Sequence, residues 1–153
     1  MIVDDDKEIE DILKASKNIA VVGLSPKPHR DSYMVARYMQ GQGYHIFPVH
    51  PKAKEILGET VYPDLMLIPD SIDIVNVFRA PEKILPIAKE AAKLKPKVFW
   101  MQLGIKNNDA AHLLANAGVM VVMNRCLKIE HMKMQKAYIA AKDADFKQLH
   151  ISK

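Results

Sequence analysis

The stretch "NIAVVGLSPKPHRDSYMVARYM" (residues 18–39) leaves an apolar, β-branched run through a glycine, passes two prolines, and enters a segment with helical spacing. Asn18 to Gly23 read as a fully buried strand, because apolar side chains follow one another without alternation and Gly23 punctuates the end. Pro26 and Pro28 cannot extend that strand and hold the chain in an extended or turn conformation. Asp31 or Ser32 is placed to cap a helix in which Val35, Ala36 and Met39 recur on one side. Unpaired amides at such a helix start, beside Lys27, His29 and Arg30, would stabilise a phosphate. The same residues also fit a plain strand-to-helix turn with solvated cations.

Outward from this unit the pattern repeats. A first amphipathic helix is expected over Asp4 to Ser16, burying Ile9, Ile12 and Leu13 as a lid on a sheet edge. "HIFPVHP" (45–51) is a second strand, and Pro48 inside it points to an edge or irregular position. "DIVNVF" (73–78), "KVFWMQL" (97–103) and "VMVVM" (119–123) complete a set of strands. The helical segments "PEKILPIAKEAAKL" (81–94) and "NNDAAHLLANAG" (107–118) separate them, and a polar-rich helix over residues 129–142 follows. This alternation predicts an α/β fold: a doubly wound, mainly parallel five-stranded sheet with helices on both faces, forming a single domain across residues 1–153. The ligand crevice of such a sheet lies beyond the carboxyl ends of its strands.

Composition narrows the classes. Hydrophobic residues at 49% and charged residues at 26% are those of an ordinary globular chain. A formal charge of +4 favours an anionic ligand mildly, and without an arginine-rich arm or an interleaved aromatic and basic stripe nucleic acid is not expected. Cys126 is the single cysteine, which excludes an internal disulfide or a cysteine-based zinc site. The acidic start "MIVDDDKEIEDIL" has no apolar signal core and no later run is long enough to cross a bilayer, so the expected location is cytoplasmic, away from membranes.

The residues just beyond each strand carry the information about a ligand. A dinucleotide fingerprint needs a glycine triplet after the first strand, and only Gly23 is in place; "GQG" (41–43) ends a helix instead. Where a carboxylate would bind the ribose hydroxyls of NAD, the second strand is followed by His50, Pro51 and Lys52. Lys52 would attract a ribose phosphate, as in CoA or NADP; read alone it is equally an exposed loop lysine.

Five segments, "VVGLSPKPHRDSYMVARYM", "FPVHPKAKEILGETVYPDL", "VNVFRAPEKI", "VFWMQLGI" and "VVMNRCLKIEH", together resemble the small stand-alone CoA-binding proteins. They also look related to the CoA-binding domain at the amino-terminal end of succinyl-CoA synthetase alpha subunits. The resemblance spans about residues 12–131 and implies a Rossmann-like fold whose ligand is CoA or an acyl-CoA. It implies Gly23, Ser25, Arg30 and Ser32 around the phosphates, and Pro51 with Lys52 near the adenosine end. Phe78, Arg79 and Pro81 would line the adenine and ribose side, while Met101, Gln102 and Leu103 would approach the pantetheine arm. His50 departs from the asparagine expected before that proline and lysine.

The larger synthetases place their chemistry on a further domain with a phosphorylatable histidine, and no such domain follows in this sequence, so no ligase activity is expected. The six histidines form neither a metal-binding helical pair nor a triad. Cys126 follows the fifth strand where a bound thiol could come near. Arg125 or the helix start after Leu127 would favour its thiolate, and the competing reading is an inert, partly buried cysteine. Three functions therefore stand: a CoA or acyl-CoA binding module, a small NADP-dependent oxidoreductase, and a nucleotide-sensing interaction protein that docks through its first or last helix. All three leave room for a protein partner or a homo-oligomer.

Overall fold

The computed structural model describes residues 1–151. Its elements run α1 (Asp6–Ala15), β1 (Asn18–Val22), α2 (Asp31–Gly41), β2 (His45–Val49), β3 (Glu55–Ile56), β4 (Glu59–Thr60), β5 (Ile74–Val77), α3 (Ile84–Leu94), β6 (Val98–Met101), α4 (Asn108–Asn116), β7 (Met120–Val122) and α5 (Leu127–Ile151). The main sheet is five-stranded in the order β2-β1-β5-β6-β7, parallel throughout, and β3 with β4 forms a small antiparallel hairpin that the sequence did not announce.

Period-two alternation splits the core between the two faces of the sheet. Ala20, Val22, Val75, Val77, Phe99 and Met101 pack against α3 and α4. Ile19, Val21, Ile74, Val98, Trp100 and Val122 pack against α1, α2 and the start of α5. The chain is thus doubly wound, as the alternation of strands and helices predicts.

Pro48 sits in an edge strand for a legible reason. Tyr62 donates its N–H to the Pro48 carbonyl at 2.9 Å and accepts from His50 N–H at 3.1 Å. The outward-facing backbone groups of β2 are therefore those of residues 48 and 50, so the N–H that proline lacks would have pointed away from β1. At the opposite edge, residues 1–3 run beside β7: Val3 N–H donates to the Val121 carbonyl at 2.7 Å and Val121 N–H to that of Met1 at 2.9 Å. This corrects the placing of the first helix, since the segment before α1 covers the edge while Ile9, Ile12 and Leu13 bury into the face. The last helix continues to Ile151, well past the expected end at Lys142.

Candidate functional site

Gly23 sets the geometry of the first strand end. Its φ of +83° is open to glycine, and a Cβ built on it would fall against the backbone carbonyl oxygen of Phe78, far inside van der Waals contact. The close approach of the β1 and β5 ends depends on that missing carbon. Beyond it Leu24 is fully buried and anchors the turn, whose exposed part then closes on itself. Ser25 N–H donates to Ser32 Oγ at 3.0 Å, and Lys27 N–H to Ser25 Oγ at 3.1 Å.

The cap of α2 differs from expectation. Arg30 occupies it in extended conformation with no side-chain hydrogen bond, and Asp31 is the first helical residue. Ser32, 7% exposed, is committed to the turn rather than to capping. The helix start therefore keeps its first amides free of a side-chain acceptor, the arrangement that suits an external anion.

His50 does the work expected of an asparagine. Its Nδ1 accepts from Lys52 N–H at 3.1 Å and Ala53 N–H at 2.9 Å, which closes the turn after β2 and fixes Nδ1 as the unprotonated ring nitrogen. Two later loops clasp each other beyond β6 and β7. Asn124, at φ 58°, accepts from Gly104 N–H at 2.8 Å and donates its own N–H to the Ile105 carbonyl at 3.1 Å. Trp100 Nε1 donates to the Arg125 carbonyl at 2.8 Å and holds the start of α5 over the sheet.

These loops enclose three adjoining chambers along the carboxyl edge. The first, about 410 Å³, lies between His50, Pro63, Leu65, Arg79, Ile87 and Glu90. The middle one, about 580 Å³, lies over Lys27, Arg30 and Ser32. Gly23, Ser25 and His50 line both of these. The third, about 520 Å³, is mainly apolar, with Met34, Phe78, Leu103, Ile105 and Met132 in its walls and Gln102 and Cys126 among them. Phe78 and Asp31 line both it and the middle chamber, so the three make one groove.

The groove gathers most of the residues singled out from sequence. Gly23, Ser25, Pro51 and Arg79 meet in the first chamber, Gly23, Ser25, Arg30, Ser32 and Phe78 in the middle one, and Phe78, Gln102, Leu103 and Cys126 in the third. Three do not join them. Met101 is fully buried in the layer packed against α3 and α4, and its neighbour Gln102 lines the third chamber instead. Pro81 is exposed outside the chambers, where its carbonyl accepts from Asn107 Nδ2 at 3.0 Å. Lys52 is exposed beside the first chamber and does not line it. Phe78 stands between the middle and third chambers.

Arg125 is also committed elsewhere. Its guanidinium donates to Asp6 and Glu130 at 2.9 Å and to Asp4, tying the segment before α1 to α5. It does not serve the Cys126 sulfur, which is half-buried in the third chamber. Asp64 and Glu90, which the sequence reading passed over, face the first chamber. Burial, followed by the nearby Asp64 charge, raises the Glu90 carboxyl above its ordinary pKa. Asp64 sits in the quoted "VYPDL" segment and caps a short turn through Met66 N–H at 2.8 Å, a recognisable signal; Glu90 lies mid-helix with none.

A family model described as a CoA binding domain matches residues 17–132, most of the chain and all of the groove loops. This chain belongs to the CoA-binding domain family. Among its relatives is the uncharacterized protein YneT of Bacillus subtilis (strain 168), 45% identical over 124 residues that cover 81% of this chain and 92% of that one. A hypothetical protein from Pyrococcus horikoshii OT3 has the same fold, with a TM-score of 0.83 at 39% identity, covering 86% of this chain and 92% of its own. Small stand-alone members thus exist. Acetate–CoA ligase [ADP-forming] I of Archaeoglobus fulgidus is 31% identical over 74 residues, 48% of this chain but 11% of the ligase. The CoA-binding region is therefore shared with much longer enzymes. Among the described residues no helix is long and apolar enough to cross a membrane.

Proposed function

We propose that the chain is a cytoplasmic protein that binds CoA or an acyl-CoA reversibly along this groove, for storage, sensing or delivery. The observation that carries the reading is the sequence of three joined chambers with different linings. CoA is a linear molecule of three matching parts. In the first chamber Pro63, Leu65 and Ile87 offer apolar faces to adenine, and the carboxylates of Asp64 and Glu90 are acceptors for its exocyclic amine. The diphosphate belongs over the turn from Ser25 to Ser32, where α2 begins without a side-chain cap and Lys27 and Arg30 stand nearby. Pantetheine follows into the third chamber, passing Phe78 to end near Gln102 and Cys126. Arg79 lines the first chamber and Lys52 is exposed beside it, so both stand near the part of the groove that would receive the ribose phosphate.

The residues act by position and charge. Gly23 lets the β1 turn lie close under the ligand, His50 holds the turn after β2, and the bond between Asn124 and Gly104 ties together the loops beyond β6 and β7. An NADP molecule would instead have to place a polar nicotinamide ribose among Leu103, Ile105 and Met132.

Thermal denaturation separates the ligands. CoA at a free concentration of about 100 times its dissociation constant is expected to stabilise the fold by about 2.7 kcal/mol, a rise in Tm of roughly 5–11 °C for a chain of this size. At the same concentration NAD and NADP are expected to shift it less. An equal or larger shift with either would contradict the CoA reading.

A further inference from the structure

We propose that Gln102 reads the carbonyl of an acyl thioester, so that the third chamber selects acyl-CoA over free CoA. This deepens the CoA reading and rests on it. Gln102 directly follows β6 and is 5% exposed, with its side chain in the wall of the third chamber. Its Oε1 accepts twice: from Asn76 Nδ2 at 3.1 Å and from the Leu127 backbone N–H at 3.3 Å. A backbone N–H can only donate, so the Leu127 contact fixes which end of the amide is oxygen. The Nε2 amine is left with no partner among the described residues, and it belongs to a side chain lining an otherwise mainly apolar chamber.

The support beneath this amide points the same way. Asn76 is fully buried in the central strand β5, and its Oδ1 has no hydrogen-bond partner. An apolar residue would fill that position without an unpaired oxygen. What Asn76 does is hold Gln102 from below by Nδ2, while Leu127, at the start of α5, holds it from the side. The amide is thus held in the wall of the chamber that Cys126 also lines, where a pantetheine sulfur would end. A thiol there offers Nε2 only a weak sulfur acceptor, whereas a thioester adds a carbonyl oxygen. Leu103, Ile105 and Met132 supply the apolar surroundings that a short acyl chain needs.

The experiment compares acetyl-CoA with S-ethyl-CoA, a thioether of nearly the same shape that lacks the carbonyl oxygen, by titration calorimetry alongside CoA. The wild type is expected to bind acetyl-CoA roughly five- to tenfold more tightly than S-ethyl-CoA, the effect of one neutral hydrogen bond in a partly dry site. Gln102→Leu is expected to bring the ratio to about one. Because that change strands the Asn76 amide, the double variant Asn76→Leu/Gln102→Leu, which also removes that amide and leaves only the helix-start Leu127 N–H without its acceptor, serves as the better-folded check and is expected to give the same ratio. A ratio of one in the wild type, a ratio unchanged in the variants, or an equal loss of all three ligands on substitution overturns the assignment while CoA binding stands. Failure of the wild type to bind any of the three, CoA included, overturns the CoA reading and this inference together.

Discussion

Gly23→Ala is expected to lower stability by about 2–5 kcal/mol and to abolish measurable CoA binding at ordinary concentrations. Two effects add. An L-residue held at φ +83° pays roughly 1–2 kcal/mol of backbone strain, and the new methyl meets the Phe78 carbonyl, a backbone atom that cannot swing aside, at an overpacking cost of about 1–3 kcal/mol. The sum corresponds to a fall in Tm of roughly 4–20 °C. Relief requires the ends of β1 and β5 to separate, which displaces Ser25, Arg79 and Phe78 from the groove they share. Gly43→Ala is the control. Its φ is +99°, but a Cβ there meets nothing within 4 Å, and the residue lies between α2 and β2 at the other end of the sheet. It should show the strain alone and retain CoA affinity. Equal losses for the two variants in denaturant titrations would show that the Phe78 approach is unimportant.

Arg30→Ala is expected to weaken CoA binding by about 10- to 150-fold with little change in Tm. Arg30 is exposed and caps α2 without a side-chain hydrogen bond, so the fold does not rest on its guanidinium. A charge-assisted bond to phosphate is worth roughly 1.5–3 kcal/mol, which sets the range. Lys52→Ala tests the other phosphate. If its ammonium meets the ribose phosphate, its loss weakens CoA by about tenfold and leaves 3′-dephospho-CoA nearly unaffected. An equal loss for both ligands would transfer that role to Arg79, which lines the first chamber directly.

The sheet could be read from the sequence because buried parallel strands are written as unbroken apolar runs, and each of those runs became a strand or most of one. Pro48 pointed to an edge or irregular strand, and β2 lies at the edge of the sheet. The loops after β1 and β2 were legible through glycine, proline and cations. Met101 was misplaced because strand alternation alone cannot say which of two neighbours turns toward a groove, and the Asn76 contact that decides in favour of Gln102 joins residues 26 apart. Cys126 lines the third chamber, but the cation beside it is bound by Glu130 of α5 and by Asp4 and Asp6 from before and within α1, whose position sequence spacing does not encode. Asp64 and Glu90 meet through tertiary packing in the same way, and His50 shows that a different side chain can supply the turn-closing acceptor expected of asparagine.

The central claim, one groove holding CoA in a single direction, is tested most directly by a crystal structure of the chain with CoA. The account predicts adenine between Leu65, Ile87 and Glu90, the diphosphate over the Ser25–Ser32 turn, and the thiol end beside Gln102 and Cys126. CoA bound away from the carboxyl edge, or lying in the groove with its adenine against Leu103 and Met132, would contradict it.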